Sequence, residues 1–157
     1  MPRPTLSVIT PSYNHAAYVD QAIESVVNQS RPPDEYLILD DASTDDSVAR
    51  IERHAAAHGN IRLLRHERNQ GVVPALARLV QEARGDYIFC AAADDYALPG
   101  FFERAMEMAR RHPQAGVIFG QMIAVDSRGQ TLRQYGASHY REPMFIPPGS
   151  YLRDYLE

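Results

Sequence analysis

Lysine is absent from this chain of 157 residues, and all sixteen of its basic residues are arginine. Without lysine, the protein cannot form a Schiff base or use the lysine of a phosphate-binding loop. The glycine patterns G-x-G-x-x-G and G-x-x-x-x-G-K-[ST] are absent as well. These absences argue against the nicotinamide-cofactor and phosphate-loop classes of protein, which need those patterns to cradle phosphate groups.

Cysteine is nearly absent, since Cys90 is the only one, and no intrachain disulfide can form. Because Cys90 lies within an apolar run, we expect a thiol packed in the core rather than a nucleophile. No apolar run approaches the roughly 18 residues that a membrane span needs, and no secretory signal follows Met1. The sequence predicts a cytoplasmic protein, with peripheral association at the inner face of the membrane as the alternative.

The overall composition is typical of a globular protein, with 45% apolar and 23% charged residues. This length suits one domain with a sizeable core. The formal net charge is −4, which argues against binding to nucleic acids or to anionic membrane surfaces.

Short apolar runs alternate with helical patterns along the chain. We predict strands at about 5–10, 35–39, 61–64, 86–92 and 115–125, helices at about 16–28, 46–58, 72–83 and 99–112, and a hairpin turn at 126–129 that leads into 130–134. Strands and helices that alternate in this way predict an α/β fold: a doubly wound, mainly parallel sheet with helices on both faces.

Polar residues follow three of the predicted strands. They are Thr10, Pro11 and Tyr13 after the first strand, Asp40 and Asp41 after the second, and Asp94 and Asp95 after the fourth. The carboxyl ends of parallel strands lie at one edge of a sheet, where ligands bind. Because adjacent carboxylates repel each other, Asp94 and Asp95 are expected to hold a cation such as Mg²⁺ or Mn²⁺. A turn with a helix cap is the alternative.

The chemistry of this edge suits a nucleotide held by carboxylates and a metal ion. Asp40 or Asp41 could accept hydrogen bonds from a ribose or a base edge, and Tyr13 could stack on a base. Phosphate oxygens and water would complete the coordination of a cation at Asp94 and Asp95, because Mg²⁺ commonly keeps only one or two protein carboxylates.

Four stretches in order carry a resemblance to a known family: SVITPSYN at 7–14, LDDASTD at 39–45, NQGV at 69–72, and the segment 85–99 with GDYI, ADD and LP. Together they resemble the nucleotide-sugar-binding portion of the family-2 inverting glycosyltransferases with the GT-A fold. The resemblance implies metal-dependent transfer of a sugar, from a UDP-sugar by expectation, to a hydroxyl of a saccharide or lipid-linked acceptor, as in the synthesis of cell-envelope polysaccharides.

The resemblance also implies roles for individual residues. By position, Thr10, Pro11, Tyr13, Asp40, Asp41 and Asp94 are expected to bind the nucleotide, and Asp94 and Asp95 to bind Mn²⁺ or Mg²⁺ in a DXD-like motif. Two departures stand out. Ala92 occupies the position where many relatives carry a further carboxylate, and none of the late carboxylates Glu142, Asp154 and Glu157 is a convincing general base.

The expected domain organisation follows from the same comparison. Residues 1–134 are expected to form the nucleotide-sugar-binding subdomain, and residues 135–157 the start of an incomplete acceptor-side region. The chain ends inside a helical pattern, which suggests a fragment of a longer protein. The alternative reading is a catalytically incomplete nucleotide-binding or interaction domain.

Several other groups of residues are expected to be structural. We expect Phe101 and Phe102 to pack in the core, and His54 and His58, four residues apart, to be solvated on a helix instead of binding a metal. The arginines Arg62, Arg65 and Arg68 are expected to form a solvated face, with contact to diphosphate or to acidic headgroups as the alternative; a substrate contact is the alternative for Arg78.

Overall fold

The computed structural model describes residues 3–126 and 128–135. Within these residues the elements are β1 (Leu6–Ser12), α1 (Val19–Val27), β2 (Glu35–Asp40), α2 (Ser47–Ala57), β3 (Ile61–Arg65), α3 (Val72–Glu82), β4 (Tyr87–Cys90), α4 (Phe101–Arg111), β5 (Met122–Val125) and β6 (Thr131–Tyr135). The chain divides into two compact units, Met1–Met106 and Glu107–Glu157. None of the described helices is both long and apolar enough to cross a bilayer.

The first unit contains a four-stranded parallel sheet in the order β3-β2-β1-β4. The chain builds outward from β1 to β3 and then returns to place β4 on the other side of β1. This reversal creates a topological switch point between β1 and β4, the place where doubly wound sheets bind ligands beyond the strand ends. The predicted α/β architecture is confirmed.

Helices cover both faces of this sheet because its central strands are apolar on both sides. On one face, Ala75 and Leu79 of α3 pack against Ile9, Leu37 and Leu39. Alternate residues of β1 and β2 point to the opposite face, where α1 and α2 contribute their own buried side chains. That layer contains Val8, Tyr36, Ile38, Val19, Ile23 and Ile51, all fully buried.

A cluster of side chains ties the two helices α1 and α2 together at their surface. His54 Nε2 lies 3.0 Å from Asp20 Oδ1, and Arg50 pairs with the same carboxylate. The rings of His54 and His58 stack with centroids 6.4 Å apart. His54 is therefore a half-buried structural residue rather than a solvated one, because the packing of the helices brings Asp20 to its ring.

The fifth strand, in the second unit, is shorter than predicted. Within the predicted stretch 115–125 only Met122–Val125 is a strand, and it pairs antiparallel with Thr131–Tyr135. Residues 115–121 form neither helix nor strand, so the longer strand 115–125 was wrong. A strand needs a hydrogen-bonded neighbour, and among the described residues β6 pairs only with the last four residues of that stretch. The predicted hairpin is confirmed.

Cys90 is exposed, which corrects the prediction of a packed core thiol. The reason is the position of β4 at the edge of the described sheet, where an apolar sequence does not ensure cover on both faces. Burial of part of its side chain nevertheless raises the pKa of the Cys90 thiol. A raised pKa disfavours the nucleophilic thiolate. Phe102 is buried as predicted, and its ring packs 5.1 Å from that of Phe89.

Gly85 is required by a close approach between two segments of backbone. A Cβ atom there would lie 2.6 Å from both the amide nitrogen and the Oγ of Ser7, and the Gly85 N–H donates a 2.7 Å hydrogen bond to that Oγ. We expect Gly85→Ala to lower the free energy of unfolding by about 2–3 kcal/mol, measured by urea denaturation. Gly59→Ala is the control, because no atom lies within 4 Å of its Cβ position; equal losses in both variants would contradict the prediction.

Candidate functional site

The carboxyl edge of the sheet brings together the polar segments that follow β1, β2 and β4. Ser12 lies opposite Asp40 in the pairing of β1 with β2, and the Ala91 N–H continues the other side by donating to the Ile9 carbonyl at 2.9 Å. All three predicted polar segments therefore leave the sheet at one edge. This placement follows directly from the parallel pairing of the strands.

The loops after β1 and β2 are joined by a set of hydrogen bonds. The Asn14 N–H donates to Ser43 Oγ at 2.9 Å, and Asn14 Oδ1 accepts from the Thr44 N–H at 2.8 Å. Two further bonds continue the contact, from the His15 N–H to Ser47 Oγ at 2.9 Å and from the Ala16 N–H to Asp45 Oδ2 at 3.0 Å. Many of the polar groups in these two loops thus serve to hold the loops together at the edge of the sheet.

These loops also contain two residues in left-handed backbone conformations. Asn14 has φ of 57° and Ala42 has φ of 64°. Asparagine tolerates this region, whereas alanine pays roughly 1–2 kcal/mol for it. The turn at Ala42 is held in place because the Asp40 carboxylate accepts a 2.9 Å hydrogen bond from the Ser43 N–H. Such strain persists only where the surroundings impose it.

Thr10 and Asp40 lie beneath the edge rather than on it. The Thr10 side chain is fully buried, and its hydroxyl lies 3.1 Å from the Tyr36 hydroxyl. Asp40 is 2% exposed. Its second carboxylate oxygen, Oδ1, is buried with no hydrogen-bond partner among the described residues, as is Ser12 Oγ. Burial raises the pKa of the Tyr36 phenol to about 12, so the hydroxyl stays protonated.

Asp41 has the most complete set of partners in the site. Its carboxylate, 3% exposed, accepts hydrogen bonds from the Gly71 N–H at 2.7 Å and from the Gln70 N–H at 3.0 Å, and lies 2.7 Å from His66 Nδ1. Burial alone raises the pKa of this carboxyl, but the bonds from Gln70, His66 and Gly71 outweigh burial and hold the pKa below its ordinary value. Asp41 therefore fixes the turn that precedes α3.

His66 and Gln70 were missed by the sequence analysis. The motif Asn69-Gln70-Gly71 enters the sequence analysis only through the family resemblance, without a partner for its amide groups. A signal did exist, because backbone N–H groups in a turn before a helix must find acceptors, and a buried carboxylate at the end of β2 is a suitable one. The sequence could not show that β3 places His66 beside it.

Tyr13, Asp94 and Asp95 are the exposed members of the predicted site. Tyr13 is 43% exposed, and both carboxylates lie on the surface of the loop after β4. Neither carboxylate forms an ion pair or hydrogen bond within the part of the chain that the structure describes. Pro11, the next-to-last residue of β1, is half-buried. These side chains are available to a ligand.

The donor set at this loop fits a hard divalent cation. Two adjacent carboxylates supply oxygen ligands, the type that Mg²⁺ and Mn²⁺ prefer. Residues 3–126 and 128–135 contain no group of three or more His, Cys, Asp or Glu side chains placed to hold a metal ion. A cation at Asp94 and Asp95 would therefore depend on water and on phosphate oxygens of a ligand for the remaining coordination.

An open pocket of about 570 Å³ lies beside the turn that Asp41 fixes. Its lining consists of Arg65, His66, Glu67, Arg68, Gln70 and Arg78. Arg78 Nη1 donates a 2.9 Å hydrogen bond to the Arg65 carbonyl, while Arg65 pairs with Glu52. Arg62 pairs with Glu82 at 2.8 Å. Two of the three arginines expected on a solvated face are thus held in ion pairs that remain partly exposed.

The late carboxylates Glu142, Asp154 and Glu157 lie outside the described residues.

In a comparison with known protein families, residues 7–155 of the chain match the family model of glycosyl transferase family 2. Chondroitin synthase of Escherichia coli is 29% identical over 129 residues, which cover 82% of this chain and 19% of that protein. The putative teichuronic acid biosynthesis glycosyltransferase TuaG of Bacillus subtilis is 32% identical over 105 residues, 67% of this chain and 42% of that protein.

A solved structure supports the same assignment. TarS of S. aureus, residues 1–349 in complex with UDP-GlcNAc, is 25% identical, with a TM-score of 0.65 over 69% of this chain and 32% of that chain. The chain thus spans less than half the length of each of these three proteins. The family match covers nearly all of the present chain, and its mainly parallel α/β sheet is the GT-A type of fold. The chain belongs to glycosyl transferase family 2.

Proposed function

We propose that this chain binds a nucleotide-sugar donor together with Mn²⁺ or Mg²⁺ and supplies the donor side of sugar transfer to an acceptor hydroxyl. The observation that carries the proposal is the pair Asp94 and Asp95, exposed and unpartnered among the described residues, at the switch point between β1 and β4. A UDP-sugar is the proposed donor, which the binding of UDP-GlcNAc by TarS supports.

The exposed residues divide the recognition of such a donor between them. Tyr13 offers an aromatic face to the base, with Pro11 next to it along the edge. Asp94 is proposed to accept a hydrogen bond from the ribose and to join Asp95 as a metal ligand. A divalent cation there would neutralise charge on the departing diphosphate. This division accounts for carboxylates in the loop that have no hydrogen-bond or ion-pair partner among the described residues.

The buried residues of the site support it from below. We propose that Thr10 and Asp40, both beneath the edge, shape the loops that hold the nucleotide. Asp41 already accepts from three donors, and a carboxylate has about four acceptor positions. A base N–H would take the remaining position or displace the Gln70 amide. Asp41 therefore combines a contact to the base with the positioning of the turn at 69–71.

Transfer is proposed to proceed with inversion, by attack of the acceptor hydroxyl on the anomeric carbon from the side opposite the diphosphate. Such an attack needs a general base to take the hydroxyl proton, a role that we assign to none of the late carboxylates Glu142, Asp154 and Glu157. A saccharide or lipid-linked acceptor of a cell-envelope polysaccharide is proposed, and the relation to a teichuronic acid biosynthesis protein supports it.

A second candidate function is donor binding without transfer. Ala92 favours it, because an alanine stands where many members of the family carry a further carboxylate, and this alanine is half-buried in the loop that bears Asp94. Release of sugar from UDP-GlcNAc by this chain, alone or with a saccharide acceptor, would exclude this function.

Calorimetric titration with UDP and GDP, with and without Mn²⁺, tests the proposal. We expect UDP to bind, and to bind more tightly when Mn²⁺ is present, because the cation links the diphosphate to Asp94 and Asp95. Repeating the titration with Ca²⁺ and Mg²⁺ reports the preference for the metal. If neither nucleoside diphosphate binds in a metal-dependent manner, the proposal is wrong.

A further inference from the structure

Gln29 is a buried amide that reaches from the end of α1 to the far end of the loop carrying Asp94 and Asp95. It is 5% exposed. Its Nε2 donates to the carbonyls of Leu98 at 3.0 Å and Ala97 at 3.3 Å, and also to the Ser25 carbonyl at 2.9 Å. Its Oε1 accepts from the Phe102 N–H at 3.4 Å. One side chain thus bonds three backbone positions that lie about seventy residues away.

Ser25, in the last turn of α1 and four residues before Gln29, completes the attachment. Its Oγ accepts a 3.0 Å hydrogen bond from the Ala97 N–H and donates to the Ala22 carbonyl at 2.8 Å. Ala97 is therefore held through both its N–H and its C=O groups. The two side chains act on the same peptide units, so they fix both the position and the orientation of the backbone there.

The loop is consequently anchored at both ends. At its start the Ala91 N–H donates to the Ile9 carbonyl of β1 at 2.9 Å, and at its end Gln29 and Ser25 hold residues 97–98. Between these points residues 91–98 form neither helix nor strand. Loops are normally mobile, whereas carboxylates that bind a cation must be held within about 0.5 Å of the productive geometry.

We infer that Gln29, assisted by Ser25, is a positioning residue that sets the geometry of Asp94 and Asp95 for the metal-bound diphosphate. This inference rests on the proposed function of that pair. An amide suits this position because the site presents both backbone carbonyls and a backbone N–H, and the glutamine amide offers a separate donor atom and acceptor atom for them. A carboxylate would face the Ala97 and Leu98 carbonyls without a proton to give, and an apolar side chain would remove all three bonds. The Leu98 carbonyl would then keep only the Phe101 N–H, at 3.2 Å.

The test uses Gln29→Met in the whole chain, a change that keeps the length of the side chain and removes its hydrogen bonds. The quantity measured is the metal gain, the ratio of the UDP Kd without Mn²⁺ to the UDP Kd with Mn²⁺. We expect the metal gain to fall about tenfold or more, the lower bound typical for residues that orient metal ligands. The metal-free Kd should change less than about twofold, because Tyr13 and the loops after β1 and β2 are untouched.

Asn60→Leu is the matched control. Asn60 is half-buried, and its amide likewise donates to a backbone carbonyl, that of Pro33 at 3.1 Å, but it forms no side-chain hydrogen bond to the loop 91–98. We expect its metal gain to match that of the original chain. A loss of general stability would affect both variants, whereas a loss of positioning affects only Gln29→Met.

The outcomes separate the inference from the function on which it rests. No metal gain in the original chain overturns the proposed function. The role of Gln29 is overturned if the metal gain persists in Gln29→Met. It is also overturned if the metal gain falls only together with an equal fall in the affinity for UDP without metal. If Gln29→Met does not fold, Ser25→Ala is measured instead; a reduced metal gain supports the inference, and an unchanged one overturns it.

Discussion

Replacing Asp94 and Asp95 together with alanine is expected to remove the effect of Mn²⁺ on UDP affinity. We expect the UDP Kd measured in Mn²⁺ to rise about 100-fold, since losing a residue that merely orients a metal ligand already costs 10–100-fold. The metal-free Kd should stay nearly constant or improve slightly, because two negative charges no longer face the diphosphate.

The folded state should tolerate this double substitution. Both side chains are exposed and make no hydrogen bond or ion pair with residues 3–126 or 128–135. Exposed substitutions of this kind change the free energy of unfolding by about 0.5 kcal/mol or less, and the removal of two adjacent like charges acts in the stabilising direction. A thermal melt of the variant should therefore match that of the original chain.

The matched control is the double variant Glu24→Ala with Asp46→Ala. It removes the same number of negative charges from exposed positions on α1 and before α2. Calorimetry in Mn²⁺ should show nearly unchanged UDP affinity for this control. If the control loses affinity as strongly as the Asp94 and Asp95 variant, general electrostatics would account for the effect, and the assignment of the metal site would fail.

Asp41→Asn is expected to cause the largest loss of stability among single substitutions in the site. The asparagine keeps one acceptor oxygen and turns an NH₂ group toward the N–H groups of Gln70 and Gly71, which now donate at 3.0 and 2.7 Å. Hydrogen bonds to charged groups contribute about 1.5–3 kcal/mol each. We expect a loss of roughly 3 kcal/mol, or a fall of about 6–12 °C in Tm.

The difference between Asp41→Asn and the original chain should depend on pH. The pKa of Asp41 in the folded state lies below its ordinary value, so its contribution to stability is fully present above the unfolded pKa of about 3.9. It is lost as pH falls through the folded pKa, because the unfolded state then binds the proton first. We expect the difference in unfolding free energy to be constant from pH 8 to 5 and to shrink below about pH 4.

Urea denaturation at several pH values measures this difference, and the comparison isolates one carboxylate from the others that titrate in the same range. Asp46→Asn provides the control, since Asp46 precedes α2 without forming a side-chain cap. Its difference from the original chain should be small at every pH. A gap between Asp41→Asn and the original chain that stays constant down to pH 2 would show that the charge of Asp41 does not hold the turn.

The sequence predicted the layers of the fold because the apolar periodicities are local and strong. The spacing of Val19, Ile23 and Val26 in α1, or the unbroken apolar run of β2, is set by neighbours in the chain. Where a strand depends on a distant partner, the prediction was poorer. The stretch 115–125 is apolar except for Gln121, yet among the described residues only its last four pair with β6.

The same distinction applies to the site. Three polar segments at one edge follow from strand–helix alternation alone, and the exposure of Tyr13, Asp94 and Asp95 agrees with the expected availability to a ligand. Thr10 and Asp40 were also expected to bind the nucleotide, but both are buried beneath that edge. The sequence shows which residues of each strand share a face with Thr10 or Asp40. It does not show which face of the sheet α1 and α2 cover.

By itself the sequence determined the α/β class, the three polar strand ends and the family. Tertiary structure alone decided that Asp41 holds the turn at 69–71, that Cys90 is exposed at an edge strand, and that Gln29 reaches the loop of Asp94 and Asp95. The physical reason is the range of the interactions. Periodicity and turn chemistry act over a few residues, whereas a hydrogen bond from Gln29 to Leu98 exists only once the chain has brought α1 beside the loop after β4.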